Sequence, residues 1–230
     1  QILKEGLGTD LIDNINVIIA DDSFRNSING VEDGAFFDAG DNASFDIALF
    51  ENRLTLNPEN AAPFPSTNFE VFNFTDVVGT VNDDSILGDE QDNILSGSAG
   101  DDIVNGRKGK DVLDGGEGDD QLNGGKANDR LLGSTGDDFL DGGKGAKNSA
   151  DYRDLDGAIT LGQVGIVEKT DRAGNSLGTD ILRRIENIRA NASFTNTIDG
   201  SLGDFGEAAI FVNLDANNLR VETIIPGVGP

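Results

Sequence analysis

Cysteine, histidine, methionine and tryptophan are all absent from this 230-residue chain. Without cysteine no disulfide can staple the fold, and without cysteine and histidine zinc sites of the usual ligand types are excluded. Most nucleophilic triads and metal-hydrolase centres go with them, since they rely on an imidazole or a thiolate. Paired carboxylates remain for glycosidase chemistry. However, the acidic residues outside the repeats described below form no constellation, so no catalytic residue is assigned and no enzyme is expected. Proline is scarce, at five residues. Three of these, Pro58, Pro63 and Pro65, fall in one polar stretch, 57–68, expected to protrude as a loop because proline is kept out of sheet interiors. No apolar run is long enough to span a membrane as a helix. Gln1 opens no signal peptide, and with no methionine to start from, the chain is expected to be a fragment or a processed product.

Positive charge is also in short supply. Seventeen Lys and Arg face 42 Asp and Glu, for a net charge of −25 and a pI near 4.1. This balance argues against nucleic acid, whose phosphates need cationic partners, and against anionic membrane surfaces. It suits a soluble, self-repelling surface. The length allows one or two domains.

What is present is glycine and aspartate in phase. Glycines stand at 79, 88, 97, 106, 115, 124, 133 and 142, every nine residues. Five residues after each of the first seven comes Asp84, Asn93, Asp102, Asp111, Asp120, Asp129 or Asp138, and two further on Ile86, Leu95, Val104, Leu113, Leu122, Leu131 or Leu140. An acidic, glycine-rich linker would share this composition but has no reason to keep the aliphatic residues in register. The first six residues of a unit are built to turn, and the last three form a minimal strand whose middle side chain faces inward. Two units then make one coil with a strand on each side, and units n and n+2 stack.

The best units, GGEGDDQLN (115–123) and GSTGDDFLD (133–141), match the nonapeptide G-G-x-G-x-D-x-U-x. Over about a third of its length the chain resembles the RTX (hemolysin-type calcium-binding repeat) family. The resemblance implies calcium as the bound ion, export through a one-step secretion channel, and a secreted or cell-surface location. The physics of the stack agrees. Aspartates stacked at roughly one sheet spacing, ~4.8 Å, repel unless a hard cation lies between successive loops, and calcium takes six to eight oxygens from carboxylates and main-chain carbonyls. Five sites are expected: Asp84–Asp102, Asp102–Asp120 and Asp120–Asp138 on one edge, Asn93–Asp111 and Asp111–Asp129 on the other. Carbonyls come from the open glycine loops, with Gly97, Gly100, Gly106, Gly109, Gly115, Gly116, Gly118, Gly124, Gly133 and Gly136 as the candidates. Five ions, two charges each, would move the net charge from −25 to −15. In the eighth unit Lys147 stands at the aspartate position and Ser149 at the aliphatic one. Asn82, Gln91 and Ala127 replace the fourth-position glycine.

The flanks repeat each other. Residues 7–30 align without gaps to 177–200, half of the positions being identical, and a weaker likeness continues between 48–56 and 213–221. A looser copy at 71–88 leads into the nonapeptides. Short strands are expected at 15–19, 71–74 and 185–188; 180–190 also carries helical spacing, but its counterpart Ile15–Ile19 favours strand. The flanks look like the segments that link nonapeptide blocks in large repetitive RTX proteins, with Ala150, Asp151 and Tyr152, Gly157–Leu161, Gly178–Leu182, Ile185–Asn187 and Asn196–Gly200 as the counterparts. The phenylalanines of 36–74 are expected in the core.

The expected architecture is all-β: one elongated, right-handed parallel β-roll or β-solenoid. It comprises a β-rich flank (1–78), the calcium-binding roll (79–149) and a second β-rich flank (150–230) homologous to 7–56. The ends, 1–6 and 226–230, should fray or meet a neighbouring module or copy. Two functions compete: a calcium-folded structural or adhesive module of a tandem-repeat extracellular protein, and the calcium-dependent secretion tail of an exported enzyme. An ice-binding face is disfavoured, because the outward positions Ser85, Ile94, Ile103, Val112, Gln121, Arg130 and Phe139 are mixed. A glycan site at a loop stays open.

Overall fold

The computed structural model describes residues 17–19, 27–29, 43–58, 67–162, 165–198, 209–215 and 218–224. They form strands almost throughout; one short 3-10 turn, Leu49–Glu51, interrupts them. Among the described residues no helix is long and apolar enough to cross a membrane.

The nonapeptides build two parallel sheets back to back. One stacks Ser85–Leu87, Ile103–Asn105, Gln121–Asn123 and Phe139–Asp141; the other stacks Asp76–Val78, Ile94–Ala99, Val112–Glu117 and Arg130–Thr135. Registers step by eighteen residues, as in Ile86↔Val104, Val104↔Leu122 and Leu95↔Leu113. This follows from the sequence period. Two nine-residue units close one coil, and the single inward side chain of each strand meets its counterpart from the facing sheet. Val77, Ile86, Leu95, Val104, Leu113, Leu122, Leu131 and Leu140 are accordingly fully buried. The strands of the second sheet run longer because its ladder continues through the glycines, with Gly116↔Ser98 and Glu117↔Ala99 still in register.

The stack continues beyond the nonapeptides in both directions. On the first sheet Ala43–Ala48 pairs parallel with Ser85–Leu87, and Phe139–Asp141 pairs parallel with the end of Ser176–Arg183, placing Leu140 opposite Leu182. On the second sheet Ser27–Asn29 pairs with Asp76–Val78, and Ser149–Tyr152 with Asn187–Ala190. Antiparallel meanders are spliced between coils: Ala43–Ala48, Arg53–Pro58 and Thr67–Phe72 before the repeats, and Gly157–Leu161, Ile166–Asp171 and Ser176–Arg183 after them. The fold is thus an all-β roll whose sheets contain twelve and nine strands. The duplicated flanks adopt the same succession of elements. Val17–Ile19 and Ser27–Asn29 answer to Asn187–Ala190 and Thr197–Ile198, all in parallel pairs, and the hairpin Ala43–Ala48/Arg53–Pro58 answers to Ala209–Asp215/Asn218–Ile224. Equivalent strands fall on opposite sheets.

Several sequence expectations shift. The proline loop is shorter than 57–68, since Arg53–Pro58 is a strand to its last residue and Thr67 already begins the next. Pro58 is accommodated at the strand end, where a missing donor costs least. Positions 59–66 lie outside the described residues, as do 1–6 and 226–230. Across 180–190 the chain is extended, in Ser176–Arg183 and Asn187–Ala190. Phe74 packs against the core, but Phe50 is 40% exposed and lies under the Arg107 guanidinium, 3.5 Å from its ring centroid.

Candidate metal centre

The turns between strands line up along two edges. Loops 79–84, 97–102, 115–120 and 133–138 form one; loops 88–93, 106–111, 124–129 and 142–148 form the other. Asp84, Asp102, Asp120 and Asp138 therefore stack on the first edge, and Asn93, Asp111 and Asp129 on the second. All seven are buried. Five of them, Asp102, Asp120, Asp138, Asp111 and Asp129, tie their loops to the coil before. Asp84 N–H donates to Asp102 Oδ1 at 2.6 Å, Asp102 N–H to Asp120 Oδ1 at 2.8 Å, and Asp120 N–H to Asp138 Oδ1 at 3.0 Å. On the second edge Asn93 N–H donates to Asp111 Oδ1 at 2.8 Å and Asp111 N–H to Asp129 Oδ1 at 3.0 Å.

The second carboxylate oxygen separates the loops into two kinds. In Asp102, Asp111, Asp120 and Asp129 the Oδ2 atom is buried with no partner. A buried, unpaired carboxylate oxygen costs several kcal/mol or more unless a cation or proton meets it. In the first two loops it is otherwise: Thr80 N–H donates to Asp84 Oδ2 at 2.5 Å, and Asp89 N–H to Asn93 Oδ1 at 3.0 Å. Asn93 Nδ2 also donates to the Thr75 carbonyl. The backbone explains the contrast. The residue after the leading glycine has positive φ in the later loops, as at Ser98, Arg107, Gly116, Gly125 and Ser134, whereas Thr80 and Asp89 do not. That twist keeps the N–H from the carboxylate in the open loops.

Glycine shapes the space around the orphaned oxygens. A Cβ on Gly97, Gly106, Gly115, Gly124 or Gly133 would strike the Oδ2 of its own loop's aspartate, and one on Gly97 would also meet the Gly115 carbonyl at 2.7 Å. Carboxylate and main-chain oxygens thus converge where a side chain is missing. Gly100, Gly109, Gly116, Gly118 and Gly136 have positive φ and press on a main-chain carbonyl or peptide of the preceding coil, which sets the close stacking of the loops. Among the described residues no three acidic side chains gather at one point. A cation here would draw on two carboxylates per step plus carbonyls, the mixed oxygen set that calcium accepts.

Burial pushes the Asp102 carboxyl up to about 8, Asp111 and Asp120 to about 7, and Asp129 to about 6. In each, one hydrogen bond from the preceding coil's N–H pulls the other way, and neighbouring carboxylates add to the rise.

The eighth unit is not as its spacing suggests. Its loop holds one residue more, so Asn148, not Lys147, takes the aspartate position, and Ala150, not Ser149, takes the core position. Asp129 N–H donates to Asn148 Oδ1 at 2.9 Å, and Ala150 pairs with Leu131. Lys147 is exposed. Asp180 continues the first edge beyond Asp138. A second row also went unread. Asp83, Asp101, Asp119 and Asp137, just before the buried aspartates, each accept a backbone N–H from the next coil at 2.7–2.9 Å: Asp101, Asp119, Asp137 and Thr179 respectively. The doubled Asp-Asp at 83–84, 101–102, 119–120 and 137–138 was the available signal.

Residues 78–113 and 114–146 match the family model described as the RTX calcium-binding nonapeptide repeat (4 copies). This stretch is an RTX repeat block. The RTX match ends two residues before Asn148, where the added loop residue breaks the period. No curated protein matches the chain. The RTX repeats bind calcium, and the residues present fit that ion: buried carboxylate oxygens without partners, glycine cradles and facing carbonyls.

Proposed function

We propose that the chain is a non-enzymatic, calcium-stapled structural module of a large tandem-repeat extracellular protein, folding when it meets calcium outside the cell. The observation that carries this reading is the set of four buried, unpartnered Oδ2 atoms in consecutive loops. Without a cation they oppose folding; with one they become the joints of the stack. The ions would be held by Asp102, Asp120 and Asp138 on one edge and by Asp111 and Asp129 on the other, with carbonyls such as those of Gly97, Gly106 and Gly115. Calcium supplies charge neutralisation and a shared coordination shell; the chain supplies pre-aligned oxygens. Asp84 and Asn93, already satisfied by N–H donors, are the weaker members of the expected set. Asn148, in line beyond Asp129, adds a candidate pair.

The duplicated flank sequence supports membership of an array, and neighbouring modules would cover the open sheet ends. The alternative, a calcium-dependent folding and secretion tail of an exported enzyme whose catalytic part lies outside these residues, shares the repeat block but gives no role to the duplication. The test is circular dichroism of the full chain in chelator and then in millimolar calcium, with bound ions counted by mass spectrometry. The β signal should rise with calcium uptake; an equal signal in both conditions, or no uptake, overturns the reading.

A further inference from the structure

Above Asp138 the carboxylate row of the first edge goes on, but its next step holds a different cation. Asp180 is in line with the row: Asp138 N–H donates to Asp180 Oδ1 at 3.4 Å, Ile181 N–H donates to the Asp138 carbonyl, and Leu140 faces Leu182. Between the two carboxylates lies Nζ of Lys169, 2.7 Å from Asp138 Oδ2 and 2.5 Å from Asp180 Oδ1, with all three side chains fully or almost fully buried. Tyr152 donates its hydroxyl to Asp180 Oδ2 at 2.7 Å. At Asp102 and Asp120 the atoms corresponding to Asp138 Oδ2 have no partner. Lys169 thus touches the same two positions, Oδ2 of one aspartate and Oδ1 of the next, that flank each earlier step.

We propose that Lys169 fills the cation position of the row's last step, so that the end of the roll around Asp138, Tyr152, Lys169 and Asp180 closes without calcium and offers the repeats a preformed coil to stack upon. This rests on the calcium reading of the repeats. The lysine reaches the row from Ile166–Asp171, the middle strand of the meander spliced between the last two coils. That meander brings apolar weight of its own: Ile159, Leu161 and Val167 are buried in the same apolar cluster as Tyr152. A covalently attached ammonium is present at any calcium concentration. Removing it leaves two buried carboxylates facing each other, the costly half of a broken ion pair.

The experiment is hydrogen exchange on the full chain in chelator, comparing native protein with Lys169→Ala and Lys169→Met. In the native chain the amides of Gly157–Leu161, Ile166–Asp171 and Ser176–Arg183 should be protected while those of 94–123 exchange freely. Both variants should lose that protection by about 100-fold or more. In millimolar calcium Lys169→Ala should regain it and bind one ion more than the native chain. If the native amides of these three strands exchange in chelator as fast as the repeats, or if Lys169→Met keeps its protection, the proposal is overturned. An unchanged ion count in Lys169→Ala overturns the equivalence of the two cations. Failure of the native chain to take up calcium at all would instead sink the reading of the repeats, and leaves the exchange comparison to judge Lys169 separately.

Discussion

Each inner aspartate of the open loops does two things with one carboxylate. Oδ1 accepts an N–H from the coil before, and Oδ2 is left buried without a protein partner. Asp120 has such neighbours on both sides, so Asp120→Ala should weaken two ion positions, whereas Asn93→Ala, at a loop already closed by Asp89 N–H, should remove at most one weak one. Calorimetric titration giving the larger loss for Asn93→Ala would reverse this order. The raised carboxyls also fix the sign of the pH dependence. In the ion-free fold the carboxyls of Asp102, Asp111, Asp120 and Asp129 titrate at about 8 to 6, against an ordinary value of 3.8. The folded form therefore holds more protons than the unfolded chain between these limits. Stability from this source is full below about pH 4 and is lost as pH rises through 6 to 8. In chelator the β signal should be larger at pH 5 than at pH 8. With limiting calcium the order should invert, because protons compete with the ion. A chelator signal independent of pH would show that these carboxyls are not buried in the ion-free state.

Among the elements, the three-residue strands place one side chain inward and two outward. Leu122→Ala should then cost about 2–5 kcal/mol in saturating calcium, while its exposed neighbour Gln121→Ala should stay within about 0.5 kcal/mol; denaturant melts of the two variants decide. The strands and their inward residues were legible because a nine-residue period with a fixed aliphatic position admits only one way of burying it. The buried row, Asp84 to Asp138, was legible for the same reason. What the period hides is any change of step. The added residue in 142–148 moves the aspartate position from Lys147 to Asn148, and nothing in composition marks the slip. The lysine that completes the row lies 31 residues beyond Asp138, in an antiparallel meander that has no period. The closed loops of Thr80 and Asp89 depend on the sign of one φ angle, which a glycine pattern constrains only loosely.

For the whole molecule, twelve strands at ~4.8 Å spacing give the larger sheet a length of about 50 Å. Small-angle scattering in calcium should return the skewed pair-distance distribution of an elongated body, with a radius of gyration a little above the ~17 Å of a compact chain of this size. A symmetric distribution would mean that the sheets fold back on themselves. The aspartate ladder advances by eighteen residues at each step. Every joint couples only adjacent coils, and the loop that closes one joint also forms half of the next. Filling any position therefore lowers the entropic cost of filling its neighbour. If the repeats fold on calcium as proposed, such a linear chain of nearest-neighbour couplings would respond to its ligand as a threshold, open where calcium is scarce and zipping together across a narrow rise in its concentration. The number of coils, rather than the affinity of any one site, sets how sharp that threshold is.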